Sequence, residues 1–73
     1  MDDDDLPARH PAVAHLLRFF AYEHLQPAQE LIAAPFSDLA RRLANNPELD
    51  GPELTVALRK LLEAKDCAVR ASL

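Results

Sequence analysis

The sequence predicts an all-α fold: a short N-terminal helix followed by an antiparallel αα-hairpin, assembling as a homo-oligomeric helical bundle. Three observations lead there. Apolar residues recur at three- and four-residue spacing and nowhere alternate with period two, so a sheet has little to be made from. Glycine occurs once, at Gly51, and proline marks the element boundaries instead. With 73 residues the chain buries only about 60% of its unfolded surface, which leaves a marginal core unless something reinforces it.

Residues 1–10 read as an acidic, disordered tail, and 11–73 as a single helical-hairpin domain. The first helix starts at Pro11, a residue suited to the first helical position. Val13, Leu16, Leu17 and Phe20 follow at helical spacing and carry it to about Ala21. Tyr22-Glu23-His24-Leu25-Gln26 is a connector to Pro27. A second helix is predicted from there to about Ala44, with Leu31 or Ile32, Phe36, Leu39, Ala40 and Leu43 as its buried stripe. Pro35 lies inside it and predicts a kink, because the stripe keeps its phase across the ring; a break with a new start at Pro35 is the alternative.

Asn45-Asn46-Pro47-Glu48-Leu49-Asp50-Gly51 is the clearest turn in the chain. Asp50 or Gly51 caps a third helix that has Pro52 and Glu53 in its first turn and runs to about Ser72. A connection this short between two long helices implies the antiparallel hairpin.

The third helix carries an unusually wide apolar arc. Leu54, Ala57, Leu58, Leu61, Leu62, Ala64, Ala68, Val69 and Ala71 cover roughly 200° at about 100° per residue. Arg59, Glu63, Asp66 and Arg70 fill most of the opposite side. One neighbouring helix covers a stripe of little more than about 100°, so a second partner surface is expected. With one hairpin per chain that surface is assigned to another subunit. Leu54, Leu58, Leu61, Leu62, Ala68 and Val69 are the candidate interface residues. Self-association also fits the elimination of other reinforcements. Cys67 is the only cysteine, so no disulfide forms within one chain, and His10, His15 and His24 are not backed by a metal-ligand cluster.

Lys65 breaks the pattern by projecting from the middle of the apolar arc. Either its stem covers apolar surface while the ammonium reaches water or a carboxylate, or it is an interfacial cation awaiting an anionic ligand. A second polar and aromatic cluster is Tyr22-Glu23-His24, with Arg18 one helical turn earlier. Tyr22 and His24 either pack over the hairpin with wet tips, or offer a ring to a nucleobase while His24, Arg18 or a basic residue of another subunit meets phosphate. Stacking of a base on an aromatic ring is worth about 1–3 kcal/mol, and a guanidinium holds phosphate through two hydrogen bonds.

Other chemistry is sparse. Ser37 and Ser72 lack a recognisable nucleophile motif, Cys67 points toward the charged side of its helix, and one glycine cannot build a phosphate-cradling loop. The expectation is therefore a non-enzyme with no cofactor and no metal. The net charge of -4 comes entirely from Asp2 to Asp5; without them, eight acidic residues face eight basic ones. A neutral folded part has no basic face for duplex nucleic acid, which argues against a DNA-binding regulator. No apolar run approaches the ~20 residues that span a bilayer, and the acidic N-terminus is unlike a signal peptide. A cytoplasmic location, without a membrane partner, is the expectation.

Two stretches carry a resemblance. Phe20-Ala21-Tyr22-Glu23-His24-Leu25 with Pro27, and Ala57 to Ala71 preceded by Pro52-Glu53, resemble small proteins of actinobacterial phages. Phe36 and Leu39-Ala40 add to the match, which spans about residues 15 to 72. Those proteins are similar to the helical-hairpin family of phage anti-defence sponges, which counter CBASS and Thoeris by sequestering the signal molecule. The resemblance implies a non-enzymatic oligomer, often a hexamer, that holds cyclic di- or trinucleotides or a cyclic ADP-ribose isomer between subunits. It further implies an aromatic ring against a base and Lys or Arg against phosphate, which here would be Tyr22, Lys65 and Arg70, with His24 and Arg18 nearby. The glycine-tyrosine-arginine opening of one branch is missing, and no lysine lies between Tyr22 and the turn. The competing expectation is a small helical module that docks onto a host or phage protein.

Overall fold

The computed structural model describes residues 11–73. The predicted acidic tail, residues 1–10, lies outside the described residues. Three helices account for most of the chain: α1 (Pro11–Arg18), α2 (Pro27–Asn45) and α3 (Gly51–Ala71). No strand occurs among the described residues.

α1 is shorter than its apolar spacing predicts. Beyond Arg18 the backbone tightens: the N–H groups of Phe19, Phe20 and Ala21 donate to the carbonyls of Leu16, Leu17 and Arg18 at 3.0, 3.1 and 3.3 Å. These i to i−3 bonds are the usual way a helix end satisfies its last carbonyls. They swing Phe20 fully into the core beside Val13, Leu16 and Leu17. Burying such a side chain is worth about 1.5–3 kcal/mol.

α2 runs unbroken through Pro35. The ring faces solvent, and the carbonyl that loses its partner belongs to Leu31, whose side chain is 79% exposed. Water can therefore take the place of the missing N–H. Of the predicted stripe only Ala40 is fully buried. Ala33, Ser37, Ala40 and Ala44 are buried, while Ile32, Phe36 and Leu43 are half-buried and Leu31 and Leu39 are exposed. Small residues let the helices approach closely, and that gain in proximity outweighs the bulk of the leucines, which flank the contact instead.

The turn after α2 forms as its residues predict. The Asn46 side-chain oxygen accepts from the Glu48 N–H at 2.9 Å, and the Asn46 carbonyl accepts from Leu49 at 3.1 Å. Asparagine closing on the backbone two residues ahead is a standard turn device. Leu49, just before the cap residue Asp50, packs on the core and lines one depression together with Leu54. That pairing is a hydrophobic staple that fixes the chain's entry into α3. Gly51 has φ +77°, with open space where a Cβ would sit, so the demand for glycine there is torsional rather than steric.

α3 packs on both other helices. This corrects the assignment of its second partner. Leu54 and Leu58 are 5% and 0% exposed within a single chain, inside a cluster that includes α1's Val13, Leu16 and Leu17. Leu58 has no surface left to give another subunit. Leu61 and Leu62 pack against the same cluster but remain half-buried, as do Ala68 and Val69, and Ala57, Ala64 and Ala71 are exposed.

Candidate functional site

Lys65 is the polar residue that the fold places most decisively. It is buried, and its ammonium donates to the Phe19 carbonyl at 2.7 Å and lies 3.2 Å from an Asp66 carboxylate oxygen. The Phe20 ring centroid is 6.0 Å away. Phe19 follows the last residue of α1, where carbonyls lack helical partners and the helix dipole is negative. Lys65 therefore caps α1 from α3. A hydrogen bond from a charged donor contributes about 1.5–3 kcal/mol. Of the two readings of this lysine, the geometry matches the one in which its stem lies on apolar surface and its head finds partners within the chain.

That contact also sets the position of the connector. Tyr22, three residues beyond Phe19, is half-buried, and His24 is exposed. The Tyr22 N–H donates to a Glu23 carboxylate oxygen at 3.0 Å. The Glu23 carboxyl is held below its usual range, first by hydrogen bonds from its own and Tyr22's backbone N–H groups, and then by the nearby positive charges of Arg41 and His24. Arg41, half-buried on α2, is the cation that the sequence reading missed. Nothing in its local pattern marks it, because the connector reaches it only through the tertiary fold.

The other predicted residues divide. Arg18 is the last residue of α1, exposed, and immediately precedes Phe19, whose carbonyl Lys65 contacts. Arg70 sits in the last turn of α3, exposed, with a guanidinium nitrogen 3.3 Å from Cys67 Sγ. Five residues separate it from Lys65, which at about 100° each turns it roughly 140° away around the helix. The fold thus ties Lys65 to the end of α1 at Phe19, next in the chain to Arg18, with Tyr22 and His24 on the connector that follows and Arg70 on another side of α3.

A second feature is a partly covered apolar face. On α2, Ile32, Phe36, Leu39 and Leu43 follow a four-three-four spacing, and on α3, Ala57, Leu61, Ala64, Ala68 and Ala71 do likewise. Leu43 and Ala57 line a common depression, so both rows lie on one side of the helix pair. α1 lies on the other side, since its Ala12 shares a groove with Thr55 and Val56 of α3. Thr55 and Ala57 are about 160° apart on the helix.

Among the described residues no cluster of His, Cys, Asp or Glu could hold a metal ion, and no helix is long and apolar enough to cross a membrane. No family model, curated protein or solved structure matches this chain.

Proposed function

We propose that this chain is a non-enzymatic phage protein that binds and sequesters a cyclic oligonucleotide or cyclic ADP-ribose-type signal, and so blocks host antiphage defence in the host cytoplasm. The observation that carries the reading is the connector held at the end of α1 by Lys65. It leaves the Tyr22 ring partly accessible, with the exposed Arg18 and His24 and the half-buried Arg41 in the surrounding structure. An aromatic face with nearby cations suits a base-bearing anion. The two stretches that resemble the sponge family, Phe20 to Leu25 and Ala57 to Ala71, include the connector and the helix that anchors it.

In this reading α2 and α3 form the antiparallel hairpin, and copies pair through the partly exposed rows that contain Leu39, Leu43, Leu61 and Ala64. Alanine rows at three-four spacing allow close helix approach between copies, and Leu61, Ala68 and their neighbours supply the contact that Leu54 and Leu58 cannot. The ligand would then be enclosed between subunits. Lys65 acts by positioning the connector rather than as a free cation, and Arg70 reaches ligand only if a neighbouring copy brings it there.

Calorimetry against a panel of cyclic di- and trinucleotides and cyclic ADP-ribose isomers tests the proposal. Binding to the parent protein, lost in Tyr22→Ala, is expected, with ligand recovered unaltered after denaturation. No heat and no thermal shift across the whole panel sinks it. The second reading, a module that docks onto a host or phage protein, is favoured by the exposure of Leu31, Leu39 and Phe19. A defined protein captured by the parent chain but not by Leu39→Glu, with no nucleotide binding, would select that reading.

A further inference from the structure

The two rows on the partly covered face share a symmetry. On α2, Ile32, Phe36, Leu39 and Leu43 have the same spacing read from either end, about a midpoint between residues 37 and 38. On α3, Ala57, Leu61, Ala64 and Ala68 repeat that spacing about a midpoint between residues 62 and 63. Leu43 and Ala57 line one depression and so stand at about one level of the helix pair. From that level, five and a half residues back along α2 and as many forward along α3 reach both midpoints together. Leu39 is 45% exposed, Ala57 and Ala64 are exposed, and the other members are half-buried, so these rows still have surface to cover.

We propose that a second copy of the chain covers this face about a two-fold axis that crosses both helices at right angles, at the level of the two midpoints. The inference rests on the hairpin and the pairing of copies proposed above, and not on the ligand. α2 then lies antiparallel on the other copy's α2, and α3 on its α3, as a four-helix bundle. Phe36 meets Leu39 and Ile32 meets Leu43; on α3, Leu61 meets Ala64 and Ala57 meets Ala68. Every contact occurs twice, as an isologous interface requires. Each layer of the bundle sets alanine among larger side chains, so the layers can interdigitate. Charge selects this axis over the one parallel to the helices. That alternative lays α2 on the other copy's α3 and brings Arg42 within a helical turn of Lys60, a like-charge contact. About the proposed axis, Arg42 is flanked by Pro35 and Lys60 by Cys67 instead. The area is adequate as well. The 19 residues of α2 give a face about 28 Å long, and two helix widths make it about 20 Å across. Roughly 1,100 Å² is covered over both copies, above the about 1,000 Å² that a specific interface needs.

The experiment makes Ala57→Cys and Ala68→Cys separately in a Cys67→Ser background and oxidises each alone and the two mixed. A disulfide forms only if the two Cα atoms come within about 7 Å. About the proposed axis residue 57 faces residue 68, while like positions stand about 16 Å apart along the helix at 1.5 Å per residue. The expected result is a covalent dimer in the mixture and none from either variant alone. A dimer from Ala57→Cys alone overturns the antiparallel arrangement, and no cross-link in any sample overturns the pairing. A readout without engineered cysteines mixes isotope-labelled and unlabelled parent chains. Filtered NOEs from the Phe36 ring of one copy to the Leu39 methyls of the other are expected, and their absence overturns the proposal as well. Neither measurement involves nucleotide, so failure of the sequestration reading leaves both results standing, and failure here leaves nucleotide binding to be judged by calorimetry.

Discussion

The Lys65 ammonium reaches 46 residues back along the chain to the Phe19 carbonyl, at 2.7 Å, and so joins the end of the first helix to the second half of the last. Lys65→Met keeps the apolar stem and removes the donor. Leaving the Phe19 carbonyl without its partner is expected to cost about 1–3 kcal/mol. In a domain this small each kcal/mol lowers the melting temperature by about 4–8 °C. A melting curve that overlays the parent's would show that the contact is dispensable. Hydrogen exchange at Tyr22 and Leu25 should quicken in the same variant, since the connector loses its anchor.

Pro35→Ala is expected to stabilise the protein. Proline in a helix interior costs about 3 kcal/mol relative to alanine, while its restriction of the unfolded chain returns only about 0.4–1 kcal/mol. The net gain of roughly 2 kcal/mol on those figures should raise the urea midpoint at unchanged slope. A midpoint that stays or falls would mean that the proline fits a local geometry that alanine does not prefer.

Leu39→Glu and Leu58→Ala separate assembly from folding. Leu58 is wholly buried, and its truncation is expected to cost about 2–5 kcal/mol. Leu39 is 45% exposed, so a polar substitution there should change the single chain's stability by no more than about 0.5 kcal/mol. Light scattering at micromolar concentration should find an assembly for the parent and an 8.1 kDa particle for Leu39→Glu. A parent that is itself an 8.1 kDa particle removes the basis for a site shared between copies.

The connector should respond to acid. The folded chain holds the Glu23 carboxyl below its usual range, through two backbone N–H groups above all, so folding favours its charged form. Its contribution is complete above the unfolded value and disappears as the pH falls through the folded one. In a titration followed by NMR, Glu23 should titrate below the ordinary glutamate range, and the Tyr22 amide should move with the same midpoint. A Glu23 midpoint in the ordinary range would remove the hydrogen bonds from the account.

Much of this architecture was legible in residue order. Pro11, Pro27 and Pro52 mark the helix starts to within a residue, and the Asn46-Pro47 turn forms where its composition places it. Three features were hidden for identifiable reasons. The end of α1 depends on Phe20 being pulled inward, which a helical wheel does not encode. α2's contact stripe follows side-chain size rather than hydrophobicity, so Ala33, Ser37, Ala40 and Ala44 are buried ahead of the leucines. α3's wide arc did call for a second partner, but α1 of the same chain supplied it for Leu54 and Leu58. As for the candidate site, Lys65 stood out as a misfit, whereas its backbone acceptor has no signature in the sequence. Arg41's proximity to Glu23 was equally invisible.

The close approach made by Ala33, Ser37, Ala40 and Ala44 inverts the usual map of which positions tolerate change. Each added methylene there wedges two rods apart, and every layer stacked along them moves too. The larger aliphatic neighbours sit at the margin, where one bulky group can stand in for another. Drift in this chain should therefore be freer at its leucine flanks than along its smallest residues.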